Sequence, residues 1–408
     1  MQTHNTPRKL LKIMTAAIIA LLGNLSAHAA ENQQPLLLKA QRLFDGVKFS
    51  ENAAVLIVDG KIKAVGSSNA AFAKTKGLKE INLGNATLLP GFIDLHSHIL
   101  FQNVPQDKVL EHGITTARDL GGALKPISGG DGHLRLLTVG SILTVKNGYP
   151  LTVFGGHDDK HGHHHEHSEI AAIVESPEQA RELVRHLIAG GANLIKISLE
   201  PGGEAGAGWS NHGSTVPLPW PMLSLEMVQA ITDEAHKLGK KVAAHVAEIE
   251  GVKLALAGGV DEWAHAPCLE VSDELLQQAA QQKVKVIPTL DTLSHCPGIF
   301  QNVKKLTQFG VEFLYGVEIA HPDIPWGIDA QELKLLNHVA GLSPIEVLQT
   351  ATAKAGSYLG LAPLGTISKD APADIIAVKG NPLEKFKLLE YPDLVMSGGK
   401  LVVNNFEK

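Results

Sequence analysis

Cysteine is almost missing from this chain: 408 residues carry two, Cys268 and Cys296. That excludes a disulfide framework as the thing that holds the fold together. A strong charge bias is missing as well. The net charge is -6 with 19% charged residues, which argues against a nucleic-acid-binding surface. The longest apolar run, Ile13 to Leu22, falls short of the roughly 20 residues that span a bilayer. Internal repeats are absent apart from an alternation of strand and helix patterns. What remains is a 44% hydrophobic chain, enough for a large core and more than one domain.

The first 29 residues form a separate object. Arg8, Lys9 and Lys12 precede the apolar run, and Ala27-His28-Ala29 fits a small-residue cleavage site. The pattern predicts a secretory signal peptide over residues 1–29 and a periplasmic or secreted mature chain. No cysteine lies near the cut, which argues against a lipoprotein; the alternative reading is an uncleaved membrane anchor. In an oxidising compartment Cys268 and Cys296 are free to bond. Both follow predicted strands, so they are equally readable as near neighbours at the rim of a site.

Two flanks read as short strands and turns. Leu36–Ala40, Ala54–Val58 and Ile62–Val65 surround an Asp59-Gly60 turn, and Ala373–Val378, Leu394–Met396 and Leu401–Val403 follow later. Residues 30–88 and 361–408 are expected to pair into one small β domain. Between them, over 89–360, β-rich runs alternate with amphipathic helices, the mark of an α/β fold with a parallel sheet. The strand candidates are Phe92–His96, Ile114–Arg118, Leu134–Val139, Asn193–Ile197, Lys241–His245, Val260–His265, Val284–Pro288 and Phe313–Glu318. Helices are expected at Pro177–Ala189, Leu225–Leu238, Ile249–Ala257, Asp273–Gln282, Gln331–Ala340 and Pro344–Leu359. Eight strands suit a (β/α)8 TIM barrel, whose active site lies at the carboxyl ends of the strands.

Chemistry-bearing residues fall at those ends. Asp94-Leu95-His96-Ser97-His98 closes the first strand. Alternate side chains of a strand share a face, so His96 and His98 converge, as two imidazoles of a metal site do. Lys196 interrupts the apolar Asn193-Leu194-Ile195-Lys196-Ile197. Burial would lower its pKa and leave a nucleophilic amine; the alternative is a strand-end lysine that reaches solvent. His245 and His265 each close a strand that follows a helix. Taken singly each reads as an ordinary core or loop histidine; together they place imidazoles at the same end of adjacent strands.

These stretches resemble the metal-dependent amidohydrolase superfamily, in the branch of imidazolonepropionase-like enzymes and Xaa-Pro dipeptidases. The matching segments are Leu89-Pro90-Gly91-Phe92-Ile93-Asp94-Leu95-His96-Ser97-His98, Gly113-Ile114-Thr115-Thr116-Ala117-Arg118-Asp119, Gly191 to Lys196, Val242 to His245, Gly259 to His265 and, in the carboxyl flank, Ala373-Asp374-Ile375-Ile376 with Ser397-Gly398-Gly399-Lys400. The resemblance spans residues 36–403. It implies a barrel joined to a β-sandwich built from both termini. It also implies zinc, one or two ions. His96 and His98 would bind the first, His245 and His265 the second, and a carboxylated Lys196 would bridge them. A hydroxide between the metals would attack a carbonyl.

The departure lies at strand eight. The family carries Gly-Thr-Asp there, whereas this chain has Tyr315-Gly316-Val317-Glu318. Glu318 has the right charge and one extra methylene, and is expected to serve as metal ligand and general base; Asp323 is a weaker substitute. A second departure is the histidine-rich loop 157–167, with six histidines in eleven residues. It reads as a metal chelator or as a solvated loop. His295, His321 and His338 have no motif behind them and read as ordinary.

The expectation is an exported hydrolase of an amide C–N bond in a dipeptide, an N-acyl amino acid or a cyclic amide. Its partners are a small-molecule or dipeptide substrate, with no nucleic acid and no membrane once the signal is removed; a homo-oligomer is left open. Two rivals stand beside it. One is a single-metal cyclic-amide hydrolase or deaminase with Lys196 unmodified. The other is a non-catalytic metal-binding protein on a degenerate hydrolase scaffold. Selectivity is expected in the loops 141–170, 199–222 and 289–310.

Overall fold

The computed structural model describes residues 34–67, 75–154, 170–202, 214 and 216–406. The predicted signal, 1–29, and the histidine-rich stretch, 157–167, lie outside the described residues. Among those residues no helix is long and apolar enough to cross a membrane.

The amino-terminal flank contributes β1 (Leu36–Phe44), β2 (Phe49–Val58), β3 (Lys61–Ser67), β4 (Lys79–Asn82) and β5 (Ala86–Pro90). The barrel follows with β6 (Phe92–Ser97), β7 (Ile114–Asp119), β8 (Arg135–Thr138), β9 (Ile142–Thr144), β10 (Ala171–Ile173), β11 (Ile195–Ser198), β12 (Val242–His245), β13 (Glu262–Trp263), β14 (Lys285–Val286) and β15 (Glu312–Phe313). The carboxyl flank adds β16 (Ile375–Lys379), β17 (Leu394–Ser397) and β18 (Lys400–Asn404).

The two flanks pair into one eight-stranded sheet of order β18-β17-β16-β5-β1-β2-β3, with β4 also on β1. The join is β5 against β16, antiparallel from Ile375↔Pro90 to Lys379↔Ala86. Alternation drives it: on β1, Leu36, Leu38, Ala40 and Leu43 enter the core of this unit. Because β5 runs into β6 across Gly91 alone, this sheet is tied directly to the first barrel strand.

The barrel strands are parallel and lie in two hydrogen-bonded arcs, β6-β7-β8 and β10-β9-β11-β12-β13-β14-β15. Backbone bonds close both gaps. Asn193 N–H donates to Thr138 O at 3.1 Å, while Leu95 N–H donates to Tyr315 O at 3.1 Å and Glu318 N–H to His96 O at 2.7 Å. The last approach demands Gly316, where an added Cβ would stand 2.8 Å from His96 N. Near-continuous apolar strands such as β6 and β12 are buried on both faces, as a sheet covered by helices requires.

The main helices sit where their periodicity places them, and four of those described have a capped first turn. Ser176 accepts from Gln179 N–H ahead of Pro177–Ala189, and Ser343 with Glu346 forms a capping box ahead of Pro344–Thr350. The expected helix Pro344–Leu359 is in fact two, broken between Thr350 and Ala353. Thr352, with φ of -132°, leaves helical geometry there, and its hydroxyl caps Leu348 O. Several short elements escape the sequence reading, among them β4, β5, β9, β10, a helix at Gln106–Glu111 and a helix at Ile299–Gln308 inside the segment read as loop 289–310.

Candidate active site

A cavity of about 580 Å³ opens at the carboxyl ends of the barrel strands. His96, His98, Lys196, His245, His265 and Glu318 all line it. Every predicted site residue is therefore brought to one place. His295, His321 and Cys296 line it as well, so the reading of the first two as ordinary histidines is corrected. They approach through loops, where no strand periodicity points to them.

The rings form a chain. His96 lies 5.5 Å from His98 and 4.7 Å from His265, and His265 lies 4.7 Å from His245, centroid to centroid. One donor atom each from His96, His265 and Glu318 falls within 4.8 Å of the other two, a group able to hold a metal ion. His98 Nε2 stands 4.0 Å from Glu318 Oε1. The resemblance pairs His265 with His245; the convergent donor group instead joins it to His96 and Glu318.

Lys196 is 2% exposed. The alternative of a solvent-reaching lysine is therefore overturned: the strand ends within the barrel, not beyond it. Burial, the larger cause, brings its pKa down to about 7 against the pull of Glu262 and Glu318. Its Nζ makes no hydrogen bond among the described residues, nor does His96 Nδ1. Orphaned buried donors and acceptors of this kind are costly unless a ligand satisfies them. Below Lys196, Arg118 and Glu262 form a fully buried ion pair at 2.6 Å, and Arg118 Nε–H donates to Leu95 O.

Burial also pushes the Glu318 carboxyl up to about 7, with Lys196 opposing. The imidazoles of His96, His245 and His265 are driven well below their usual value by burial first and then by the neighbouring Lys196 or histidines. His98 falls to about 3 for the same leading reason. Neutral imidazoles beside a carboxylate are a metal-ready donor set. Asp94 braces the floor, accepting from His96 N–H at 2.8 Å and Val317 N–H at 3.1 Å, and so ties β6 to the strand-eight segment.

The walls differ in character. Phe101, Phe154, Ile142, Ile170, Leu293 and Pro322 make much of the lining apolar. Tyr149 lies 4.5 Å over His245 and stacks on Trp220 at 6.2 Å. The cysteines are disulfide-bonded to each other: Cys268–Cys296 spans the segments after β13 and β14, with Cys296 lining the cavity.

Fold and site together define a parallel (β/α)8 barrel protein whose strand ends converge histidines, a buried lysine and a carboxylate on one cavity. Residues 87–402 match the amidohydrolase family, and the chain belongs to that family. Ochratoxinase of Aspergillus niger is 26% identical over 255 residues, which cover 56% of this chain and 50% of that protein. The chain thus spans about half the length of the curated relatives it matches first. A crystal structure of an amidohydrolase superposes with a TM-score of 0.73 at 25% identity, covering 91% of this chain and 99% of the other. A prolidase complexed with N-methylphosphonate-L-proline gives 0.73 at 23% identity, covering 91% and 100%. The last of these speaks for the fold alone. The family generally uses metal ions, and the donor chemistry described above fits one.

Proposed function

We propose that this chain is an exported, zinc-dependent amidohydrolase that cleaves an amide C–N bond in a small molecule or dipeptide. The observation that carries the reading is the convergence of His96, His265 and Glu318 within 4.8 Å on a largely apolar cavity. His98, His245 and a carboxylated Lys196 complete the donor set. A bound divalent cation would polarise the scissile carbonyl and bring the pKa of water toward about 7. Glu318 takes the proton of the attacking water and returns it to the leaving nitrogen. The apolar wall seats a bulky uncharged group beside the scissile bond. That favours an N-acyl amino acid, a dipeptide with an apolar side chain or a cyclic amide. Membership of the amidohydrolase family supports the same bond class.

Export draws support from the charged-then-apolar leader and from the Cys268–Cys296 disulfide, which persists in oxidising compartments. We take the flanking sheet to be the small β-sandwich that resemblance implies. The rival with one metal and unmodified Lys196 draws support from the single convergent donor group among the described residues.

The test is hydrolysis by the zinc-loaded full chain across Xaa-Pro and apolar dipeptides, N-acyl amino acids and cyclic amides. Turnover that a chelator abolishes and zinc restores is expected. Tight zinc binding with no turnover on any of them would sink the enzyme reading and leave a metal-binding scaffold.

A further inference from the structure

Aromatic residues make up only 5% of this chain, yet Phe101, Tyr149 and Phe154 all line the cavity and touch in series. Phe154 meets Phe101 edge-to-face, with centroids 5.8 Å apart and planes at 81°. It meets Tyr149 at 6.5 Å and 65°. Tyr149 in turn lies on His245 and is backed by Trp220, their planes 15° apart. The strip therefore starts three residues after His98 and ends on His245, beside metal donors at both ends.

The rings are held in place. The Thr144 hydroxyl donates to Tyr149 O at 2.7 Å. Trp220 is 3% exposed, and its indole N–H donates to Val216 O at 3.2 Å. Gly202, at φ +61°, leaves room for that indole, since a Cβ there would stand 2.5 Å from the ring. Phe101 packs against the apolar cluster of Ile142, Ile170 and Ala171. Side chains fixed in this way lose little freedom when a ligand arrives.

The chemistry of the strip selects what it holds. Of the residues that line the cavity, only Lys196 and Glu318 are acidic or basic apart from histidines, and both stand at the strand ends rather than in the strip. A group seated against the strip is therefore uncharged. Phe154 is 41% exposed, so ring surface remains for that group to cover. Saturated and aromatic groups both gain from such burial, in proportion to area. An aryl ring gains more, because its positive edge meets the negative faces of neighbouring rings, a contact that adds about 2- to 12-fold in binding beyond burial.

We propose, resting on the hydrolase reading above, that Phe101, Tyr149 and Phe154 form an aryl subsite, and that the substrates are amides carrying a neutral aromatic ring next to the scissile bond. Xaa-Pro and purely aliphatic amides are then the poorer substrates. The ring belongs to the acyl side or the amine side of the bond, and the test separates the two.

Sulfonamide isosteres, which are not hydrolysed, report binding to the zinc-loaded full chain. N-(phenylsulfonyl)glycine against N-(cyclohexylsulfonyl)glycine probes the acyl side. N-mesylphenylalanine against N-mesylcyclohexylalanine probes the amine side. By calorimetric titration the aryl member of one pair should bind about 2- to 12-fold tighter, and that pair names the side. Burial alone predicts the reverse, since the saturated ring is the more apolar. Phe101→Leu and Phe154→Leu should each bring the ratio to about 1; as a ratio of two ligands on one protein, it does not depend on how much of a variant folds. Saturated members that bind as well as the aryl ones in both pairs overturn the proposal. So does a ratio unchanged in both variants, or a parent chain that binds none of the four. Turnover of the corresponding carboxamides is read separately: aryl-selective binding with no hydrolysis of any of them defeats the hydrolase reading and leaves the subsite standing.

Discussion

Glu318 occupies a left-handed backbone conformation, φ +61°, which costs a non-glycine residue about 1–2 kcal/mol. It persists because its N–H is tied to His96 O at 2.7 Å, and such strain collects at functional sites. Glu318→Gln keeps this backbone and a ligating oxygen but removes the base. Turnover should fall by about 10²- to 10⁴-fold with zinc content little changed; equal turnover would remove Glu318 from the mechanism. Lys196 makes a complementary prediction. Buried and brought down to about 7, it is poised to take up carbon dioxide. Lys196→Ala should release about one zinc per chain relative to the parent, as a bridging ligand would. Because the comparison is a difference, zinc held by the histidine-rich segment cancels. Identical zinc content in the two proteins would favour the single-metal rival.

Among the elements, the segments that follow β13 and β14 form a clamped unit. The disulfide joins them across 28 residues, and Gly298 N–H donates to Cys268 O at 2.7 Å. Asn302, on the helix Ile299–Gln308, bonds Pro267 O, Leu269 O and Val271 N–H. His265 and Thr289 sit at the bases of these segments, so the clamp fixes the loop that carries the Thr289 hydroxyl, which faces His265. A closed loop of this length contributes about 3–4 kcal/mol through the unfolded chain. The double variant Cys268→Ser, Cys296→Ser should unfold at measurably lower temperature by calorimetry. A midpoint equal to that of the parent would show that Asn302 and the backbone bonds hold the unit alone.

For the whole molecule, the buried ionisable groups set a pH dependence whose sign can be worked out. Burial raises Asp94 to about 8, and Asp119, Glu318 and Asp329 to about 7. In the unfolded chain these groups titrate near ~4. Between those values the native state binds more protons, so stability falls as pH rises through the folded pKa values. Lys196 acts oppositely above its folded value of about 7, but it is one group against five, since burial raises Glu332 as well. The depressed histidines add stability only as pH climbs toward ~6.5. Metal-free protein should therefore lose stability from pH 6.5 to 8, and zinc, which favours ionised Glu318, should flatten that decline. Denaturation curves at both pH values check it; a metal-free protein that gains stability over this range would contradict the burial argument.

The barrel and most of its ligand candidates are legible in the sequence because strand and helix periodicities are local. His96, His98, Lys196, His245 and His265 stand at strand ends that those periodicities place. Glu318 is legible only through resemblance, since its strand is short and the residue lies five positions beyond β15. Phe101, Tyr149, His295 and His321 were invisible: they sit on loops, where position depends on what the loop packs against. The sequence by itself determined the alternation of strands and helices, the pairing of the two flanks and the end of the barrel that carries chemistry. Only the tertiary structure decided that Lys196 is buried, that Cys268 meets Cys296, and which donors share a centre. Those facts depend on distances between segments far apart in the chain, which closure of the barrel alone fixes.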